Sequence, residues 1–332
     1  MERFRQARTV LVSGALLLLL ALLMLLGIAA GPTGFQLLEV FSSLVDGREI
    51  DRVLQTIIWE IRFPRVVLAA SVGTVLSLAG LVFQALLRNP LAEPYILGIS
   101  GGASVGAVLG MLLGLAFFPG VAFLAFLGSM GTLGLVILLT SGRFLIRENS
   151  LLLAGVMVNA FCSAIIVFLL SISTHTKLQQ ALFWLMGDLS NAQQTQVIGL
   201  LALIFPCILV IGLFSRPMNL LQMGSDTAAS LGVNVKAVTL ILLGVSSLLV
   251  SGTVCVVGLV GFVGLVIPHI LRLMLGPDHR ILVPGCILGG AAFMTGCDLL
   301  ARTVPAQGEM PVGVVTAVIG APLFVYLLMR ST

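Results

Sequence analysis

Two arginines, Arg62 and Arg65, bracket a Phe-Pro pair at the start of a long apolar run. A spacing of three residues places both guanidinium groups on one side of an entering helix, at the water boundary where they need not be dehydrated. Because arginine can bind a carboxylate through two parallel hydrogen bonds, the pair suits the recognition of acidic side chains on an outside partner. Arginines that anchor a helix end at the membrane surface have the same spacing, so both interpretations stay open.

The usual motifs of phosphate-binding and metal chemistry are missing from the sequence. Its two lysines, Lys177 and Lys236, do not follow a glycine, which excludes a GxxxxGK(S/T) phosphate-binding loop. No HExxH motif occurs, and the five cysteines lie in apolar runs without a CxxC pair. We therefore expect the chain to have no catalytic residues, no metal site and no cofactor of its own.

The composition places the chain in a membrane. With 332 residues, 59% hydrophobic, 9% charged and a mean hydropathy of +1.18, it has too little polar material to cover a water-soluble globule. A span needs about 20 mainly apolar residues, and ten such runs can be placed: 10–29, 66–87, 94–115, 121–140, 151–171, 197–214, 238–257, 259–275, 281–299 and 312–329. The sequence thus predicts an all-α polytopic membrane protein with about ten transmembrane helices.

The basic residues predict how the bundle is oriented. If the N-terminus is inside, eleven of the seventeen lysines and arginines fall on the cytoplasmic side and six fall outside. We therefore expect both termini in the cytoplasm, with a short N-terminal segment at residues 1–9, and attribute the net charge of +4 to topology rather than to nucleic-acid binding. The first apolar run exceeds the roughly 7–15 residues of a signal-peptide core, so we expect it to be retained as a span.

Glycines recur every fourth residue in the third apolar run, at Gly102, Gly106, Gly110 and Gly114. This spacing puts them on one helical face, where a neighbouring helix can approach until the two backbones touch. Such packing is typical of helices embedded in lipid.

The largest cytoplasmic insertion covers residues 215–236, and its part from Ser225 to Gly232 is typical of a short capped helix ended by a glycine. Small residues on such a helix would let another protein dock closely, although a connector helix lying on the membrane fits equally well. The acids nearest the spans, Glu93, Asp298 and Glu309, fall at span ends or in loops, so the predicted membrane centre is nearly uncharged. A pathway without titratable groups suggests that energy arrives from elsewhere, through the cytoplasmic loops.

Long stretches of the sequence resemble one family of membrane proteins. They include RFPRVVLAASVG from Arg62, AGLVFQALLRNPLAEPYILGISGGASVGAV from Ala79 and GFVGLVIPHILRLMLGPDHR from Gly261. These stretches are similar to the FecCD family of ABC importer permeases, whose members import iron–siderophore complexes, haem and vitamin B12. The resemblance extends from about Trp59 to Leu328, and the sequence is especially similar to the vitamin B12 permease type.

The resemblance implies a type II ABC importer permease, with residues 1–332 as a single transmembrane domain that forms a homodimer in the bacterial inner membrane. It implies two ABC ATPase subunits on the cytoplasmic side, which hold the ATP and Mg, and a periplasmic or lipid-anchored binding protein outside. The expected cargo is a metal chelate, with an iron–siderophore or haem ranked first and cobalamin a near second. An autonomous secondary transporter or channel, with the arginines as lipid anchors, is the alternative from another class.

The resemblance also assigns roles to three groups of residues. Those expected to pair with glutamates on the binding protein are Arg62, Arg65 and Arg302. Those expected to press on the ATPase are Gly224, Ser225, Asp226, Thr227, Ala228, Leu231 and Gly232. Those expected to form the cytoplasmic gate are Asn89, Leu91, Glu148 and Asn149.

Overall fold

The computed structural model describes residues 2–31, 34–35, 52–140, 148–305 and 308–331. Its helices are α1 Glu2–Ala29, α2 Arg52–Thr56, α3 Phe63–Leu86, α4 Ile99–Leu112, α5 Ala122–Thr140, α6 Glu148–Ser171, α7 His175–Leu185, α8 Gln194–Leu213, α9 Ser215–Gln222, α10 Ser225–Ser230, α11 Val235–Val257, α12 Val263–Leu275, α13 His279–Thr303 and α14 Val312–Ser331. π-Helical turns, Ile57–Arg62 and Phe117–Val121, precede α3 and α5, and a 3-10 turn, Pro94–Leu97, precedes α4. Two-residue strands, β1 Ala30–Gly31 and β2 Gly34–Phe35, pair antiparallel after α1.

The helices match the ten apolar runs that the sequence predicts, and the all-α membrane fold is confirmed. Within the described residues, seven helical stretches are long and apolar enough to cross a membrane, and α4, α12 and α14 contribute three shorter apolar helices. We call the end of the bundle with the N-terminus of α3 and the C-terminus of α13 the outer end, after the predicted orientation, and the opposite end the inner end.

Helix α3 is the centre of the bundle. In its most apolar window 89% of the residues are buried, compared with 11% in α1, which lies at the edge with most of its surface available to lipid. Helices α11, α12 and α13 pack around α3. A helix that is apolar all round and enclosed in this way is typical of the core of a membrane bundle.

Glycines bring the central helices into backbone contact. A Cβ atom at Gly73 of α3 would lie 2.0 Å from the carbonyl oxygen of Gly290 in α13, and one at Gly80 would lie 1.9 Å from that of Gly264 in α12. The predicted glycine stripe on α4 is confirmed at three positions, because Gly102, Gly106 and Gly110 all face α5. The fourth, Gly114, lies beyond the end of α4 with φ +75°, and a Cβ atom there would meet no atom of the described residues within 4 Å.

Two predicted spans are shorter than the sequence suggests. The run at residues 94–115 forms the 3-10 turn and then α4, and the run at residues 259–275 is helical only from Val263. At about 1.5 Å per residue, the 13 residues of α12 extend about 20 Å, too little for a hydrocarbon core of about 30 Å. The residues before α12 are non-helical backbone inside the protein, which membranes tolerate where that backbone is buried and satisfied.

Candidate functional site

Four side chains form a buried ion cluster at the outer end, which we call the outer ion cluster: Arg65, Asp298, Arg302 and Glu309. Arg65 Nε donates to Asp298 Oδ1 at 2.9 Å, and Arg65 Nη1 donates to Glu309 Oε2. Arg302 Nη2 lies 3.0 Å from Asp298 Oδ2, so the pairing predicted from their spacing of four is confirmed. Asp298 is fully buried between the two guanidinium groups, whereas the Glu309 side chain is 28% exposed and forms the edge of the cluster.

The arginines also close the end of α1, whose last carbonyl groups have no helical donors. Arg62 Nη1 donates to the carbonyl oxygens of Ile28 and Ala29 at 3.1 and 2.9 Å, and Arg302 Nη1 donates to that of Gly27 at 3.1 Å. The outer end of α1 is thereby tied to α3 and α13.

The expected exposure of these arginines is wrong. Arg62, Arg65 and Arg302 are only 4%, 5% and 3% exposed. The π-helical turn that carries Arg62 faces α1, and the start of α3 that carries Arg65 faces α13 instead of water. Glu309, the exposed member of the cluster, already accepts from Arg65 Nη1, so a carboxylate from outside would compete with it for Arg65. Their role in docking stays a prediction.

At the inner end, α10 forms a small exposed projection. Gly224, with φ +115°, precedes it, and Leu231 and Gly232 end it, so the predicted helix is present with Gly224 rather than Ser225 at its cap position. Ala228 is fully buried and anchors the helix, whereas Asp226, Thr227 and Leu231 are exposed. A short helix that presents a polar face and one leucine has the form of a docking element.

The turn that carries Asn89 and Leu91 lies beside α10. Asn89 Oδ1 accepts a hydrogen bond from the Leu91 amide at 2.9 Å, and Leu91 is 40% exposed. Arg88 precedes them with φ +46°, and a Cβ atom at Gly224 would lie 3.7 Å from its Nη1 atom. The predicted gate turn and the predicted ATPase contact are thus neighbours. The other predicted gate residues, Glu148 and Asn149, begin α6, but their side chains lie outside the described residues.

Sequence reasoning missed the residues that hold the segment before α12. Glu93 Oε1 accepts from the Phe262 amide at 2.8 Å, while Tyr95 Oη donates to the Val260 carbonyl at 3.0 Å and accepts from the Val260 amide at 3.1 Å. The sequence predicts only that Glu93 lies at a span end or in a loop, and it does not predict this contact. Glycines at 258, 261 and 264 are compatible with either close packing or a broken helix, and the partners of this segment are more than 160 residues away in the chain.

A cavity of about 430 Å³, which we call the outer cavity, lies under α7 near the outer end of α3. Its aromatic wall is formed by Phe117, Phe118, Phe183 and Trp184. Its polar lining is formed by Thr176, Gln179, Gln180, Asp188, Asn191 and Gln196. Trp184 is 7% exposed, so it packs in this wall rather than in an aromatic belt at the lipid boundary. Among the described residues that line the cavity, Asp188 carries the one formal charge.

Comparisons with protein families and with curated proteins identify the same family of permeases. The model of the FecCD transport family matches residues 18–330. The chain is 41% identical over 278 residues to the vitamin B12 import system permease protein BtuC of Klebsiella pneumoniae, covering 83% of each protein. It is 42% identical over 275 residues to the BtuC protein of Escherichia coli, covering 82% of this chain and 84% of that one.

Solved structures show the same fold. A metal-chelate type ABC transporter in an inward-facing conformation superposes with a TM-score of 0.86 at 31% identity, covering 96% of this chain and 98% of the other. PsaBC from Streptococcus pneumoniae, solved in complex with a Fab, has a TM-score of 0.53 at 15% identity over 87% of this chain and 95% of the other, which supports the fold alone.

Proposed function

Because this chain belongs to the FecCD transport family of ABC importer permeases, we propose that it is the subunit through which cobalamin crosses the bacterial inner membrane. The observation that carries the proposal is the 41–42% identity to vitamin B12 import permeases over more than four fifths of the chain. The sequence alone ranked an iron chelate first and cobalamin second. These relatives favour the second.

The chemistry of the outer cavity supports the same choice. Cobalamin presents uncharged carboxamide side chains around its ring, whereas haem and many iron–siderophores present carboxylates or other anionic groups. Carboxamides pair well with the amides of Gln179, Gln180 and Asn191, and a flat ring can stack on the aromatic wall. An anionic chelate would instead meet Asp188 without a compensating cation among the described lining residues, which is unfavourable.

The partners follow from the two ends of the bundle. We place a cobalamin-binding protein at the outer ion cluster. One of its carboxylates replaces Glu309 as the partner of Arg65, and others bind Arg62 and Arg302, which lie deeper in the protein. Two ATPase subunits, which bind ATP and Mg, contact residues 224–232 of each copy in a homodimer. The gate is formed by Asn89 and Leu91 together with Glu148 and Asn149. Alternating access then requires that these contacts stabilise two states differently, since a partner shifts an equilibrium only by its differential affinity.

The cargo is tested by competition in proteoliposomes that contain the permease, its ATPase and its binding protein. We expect ATP-dependent uptake of labelled cyanocobalamin that excess unlabelled cyanocobalamin suppresses and that haem and ferric siderophores leave unchanged. The matched control is the same assembly without ATP. Uptake of a ferric chelate or haem in place of cobalamin would contradict the proposal.

A further inference from the structure

We propose that Asn219 is a positioning residue that joins the ATPase-facing loop to α13, so that docking at the outer ion cluster is transmitted to the ATPase contact along this helix. The inference rests on the function proposed above. It adds the helix that connects the docking site at the outer end of the bundle with the ATPase contact at the inner end. It is carried by the contacts at the inner end of α13, by the continuity of that helix and by the anchoring of its outer end.

Both polar atoms of the Asn219 side chain are used in contacts to the start of α13. Nδ2 donates to Asp278 Oδ1 at 2.8 Å, and Oδ1 accepts from the backbone amide of His279 at 2.8 Å. The backbone N–H can only donate, which fixes the orientation of the amide. His279 Nδ1 also lies 2.8 Å from Oδ1, so it carries the ring proton in this contact.

These contacts are protected and charge-assisted. His279 is fully buried, and a hydrogen bond in such surroundings is stronger than one in water. Asp278 caps α13 and pairs with Arg280, and the hydrogen bonds from Arg280 and then from Asn219 lower the pKa of Asp278 to about 2. The carboxylate therefore stays ionised at neutral pH and keeps accepting from Asn219.

Asn219 lies on α9, which is the fixed base of the exposed helix α10. Met218 is fully buried and Leu221 is 5% exposed, so α9 is packed into the bundle, and two residues separate its end from α10. A displacement of α13 at His279 is thus passed directly to the projection that we place against the ATPase.

Helix α13 is one continuous element between the two functional ends. Its 25 residues extend about 37 Å, enough to cross the membrane. Pro284 removes one backbone hydrogen bond near its start, but beyond it Gly290 packs against the backbone of Gly73, which braces the helix along α3. At its outer end Asp298 and Arg302 belong to the outer ion cluster. Tightly packed helices move as bodies rather than deform, so a shift at one end reaches the other.

The test measures how strongly the cobalamin-loaded binding protein stimulates the ATPase of the assembled importer. Asn219→Asp keeps the shape of the side chain and the acceptor for His279, but it replaces the donor to Asp278 with a second carboxylate, so repulsion between the two carboxylates pushes α9 away from the start of α13. We expect the ratio of stimulated to basal ATPase to fall by about 5-fold or more, the lower range of coupling between distant sites, while the affinity for the binding protein is retained. The swap Asn219→Asp with Asp278→Asn restores a donor and acceptor pair and should recover most of the ratio.

The matched control is Asn234→Asp, which lies in the same loop and caps α11 through a 3.1 Å hydrogen bond from the Ala237 amide. Asp caps a helix as well as Asn does, and Asn234 caps α11 rather than α13, so the wild-type ratio is expected. A wild-type ratio in Asn219→Asp, or a swap no better than the single variant, would overturn the role of Asn219.

A second variant distinguishes failure of the docking proposal from failure of the role of Asn219. In assemblies that keep their basal ATPase activity, which shows that the variant has folded, charge reversal by Arg62→Glu with Arg65→Glu is expected to abolish both binding and stimulation. If that double variant is still stimulated, docking does not use the outer ion cluster, and the transmission proposed here falls with it. If it is not stimulated and Asn219→Asp is stimulated normally, only the transmission through Asn219 is wrong.

Discussion

Replacing Asp298 with alanine is expected to lower the free energy of unfolding by about 3–5 kcal/mol, because it leaves buried charges without their partner. Asp298 is fully buried, and its two oxygens face Arg65 at 2.9 Å and Arg302 at 3.0 Å. Without it, Glu309 is the remaining carboxylate of the outer ion cluster for two guanidinium groups. Reversible unfolding of the purified chain in mixed micelles measures the change.

The matched control for Asp298→Ala is Glu60→Ala, an exposed carboxylate at the same end of the bundle. Exposed ion pairs contribute about 0–1 kcal/mol, so its effect on the free energy of unfolding should be no larger than that. Equal effects of the two variants would show that the outer ion cluster does not hold α1, α3 and α13 together.

Gly73→Val is expected to lower the free energy of unfolding by about 3 kcal/mol or more, at or above the upper end for overpacked cores. A Cβ atom at this position would lie 2.0 Å from the Gly290 carbonyl oxygen and 2.6 Å from the Gly290 carbonyl carbon. Because the obstacle is backbone, no side-chain rotation can relieve it, and α3 and α13 must separate. The prediction is checked by heating the wild-type and variant proteins in detergent and comparing the temperatures at which each loses its monodispersity.

Gly131→Ala in α5 provides the control for Gly73→Val. Apart from the backbone of its own helix, no atom in the described part of the chain would lie within 4 Å of a Cβ added at Gly131. Alanine is also a better helix former than glycine by about 1 kcal/mol. We therefore expect a neutral or slightly stabilising change. If Gly73→Val were equally well tolerated, the close approach of α3 and α13 would be contradicted.

The positions of the spans could be predicted from the sequence because each span needs a long apolar run, and lipid leaves few alternatives to a helix. The run at residues 10–29 corresponds to α1, and the glycine stripe correctly predicts where α4 meets its neighbour. What the sequence could not show is where an apolar run stops being helical. The non-helical backbone before α12 is apolar too, and its partners Glu93 and Tyr95 are distant in the chain.

The surroundings of the site residues were also beyond sequence reasoning. Spacing correctly paired Asp298 with Arg302, which lie on one helix. It could not show that Arg65 is enclosed by a residue 233 positions away, so a pair of arginines expected in water is buried in protein. Helical spacing determines which side chains share a face, but only the packing of α1 and α13 determines what that face meets.

We propose that this chain forms a conduit that takes its energy from partner proteins. The most direct measurement compares cyanocobalamin uptake into proteoliposomes that contain this chain alone, under a proton or sodium gradient, with uptake into proteoliposomes that also contain the ATPase, the binding protein and ATP. We predict uptake only in the complete, ATP-supplied vesicles. Uptake by the chain alone, driven by the ion gradient, would contradict this claim and identify an autonomous carrier.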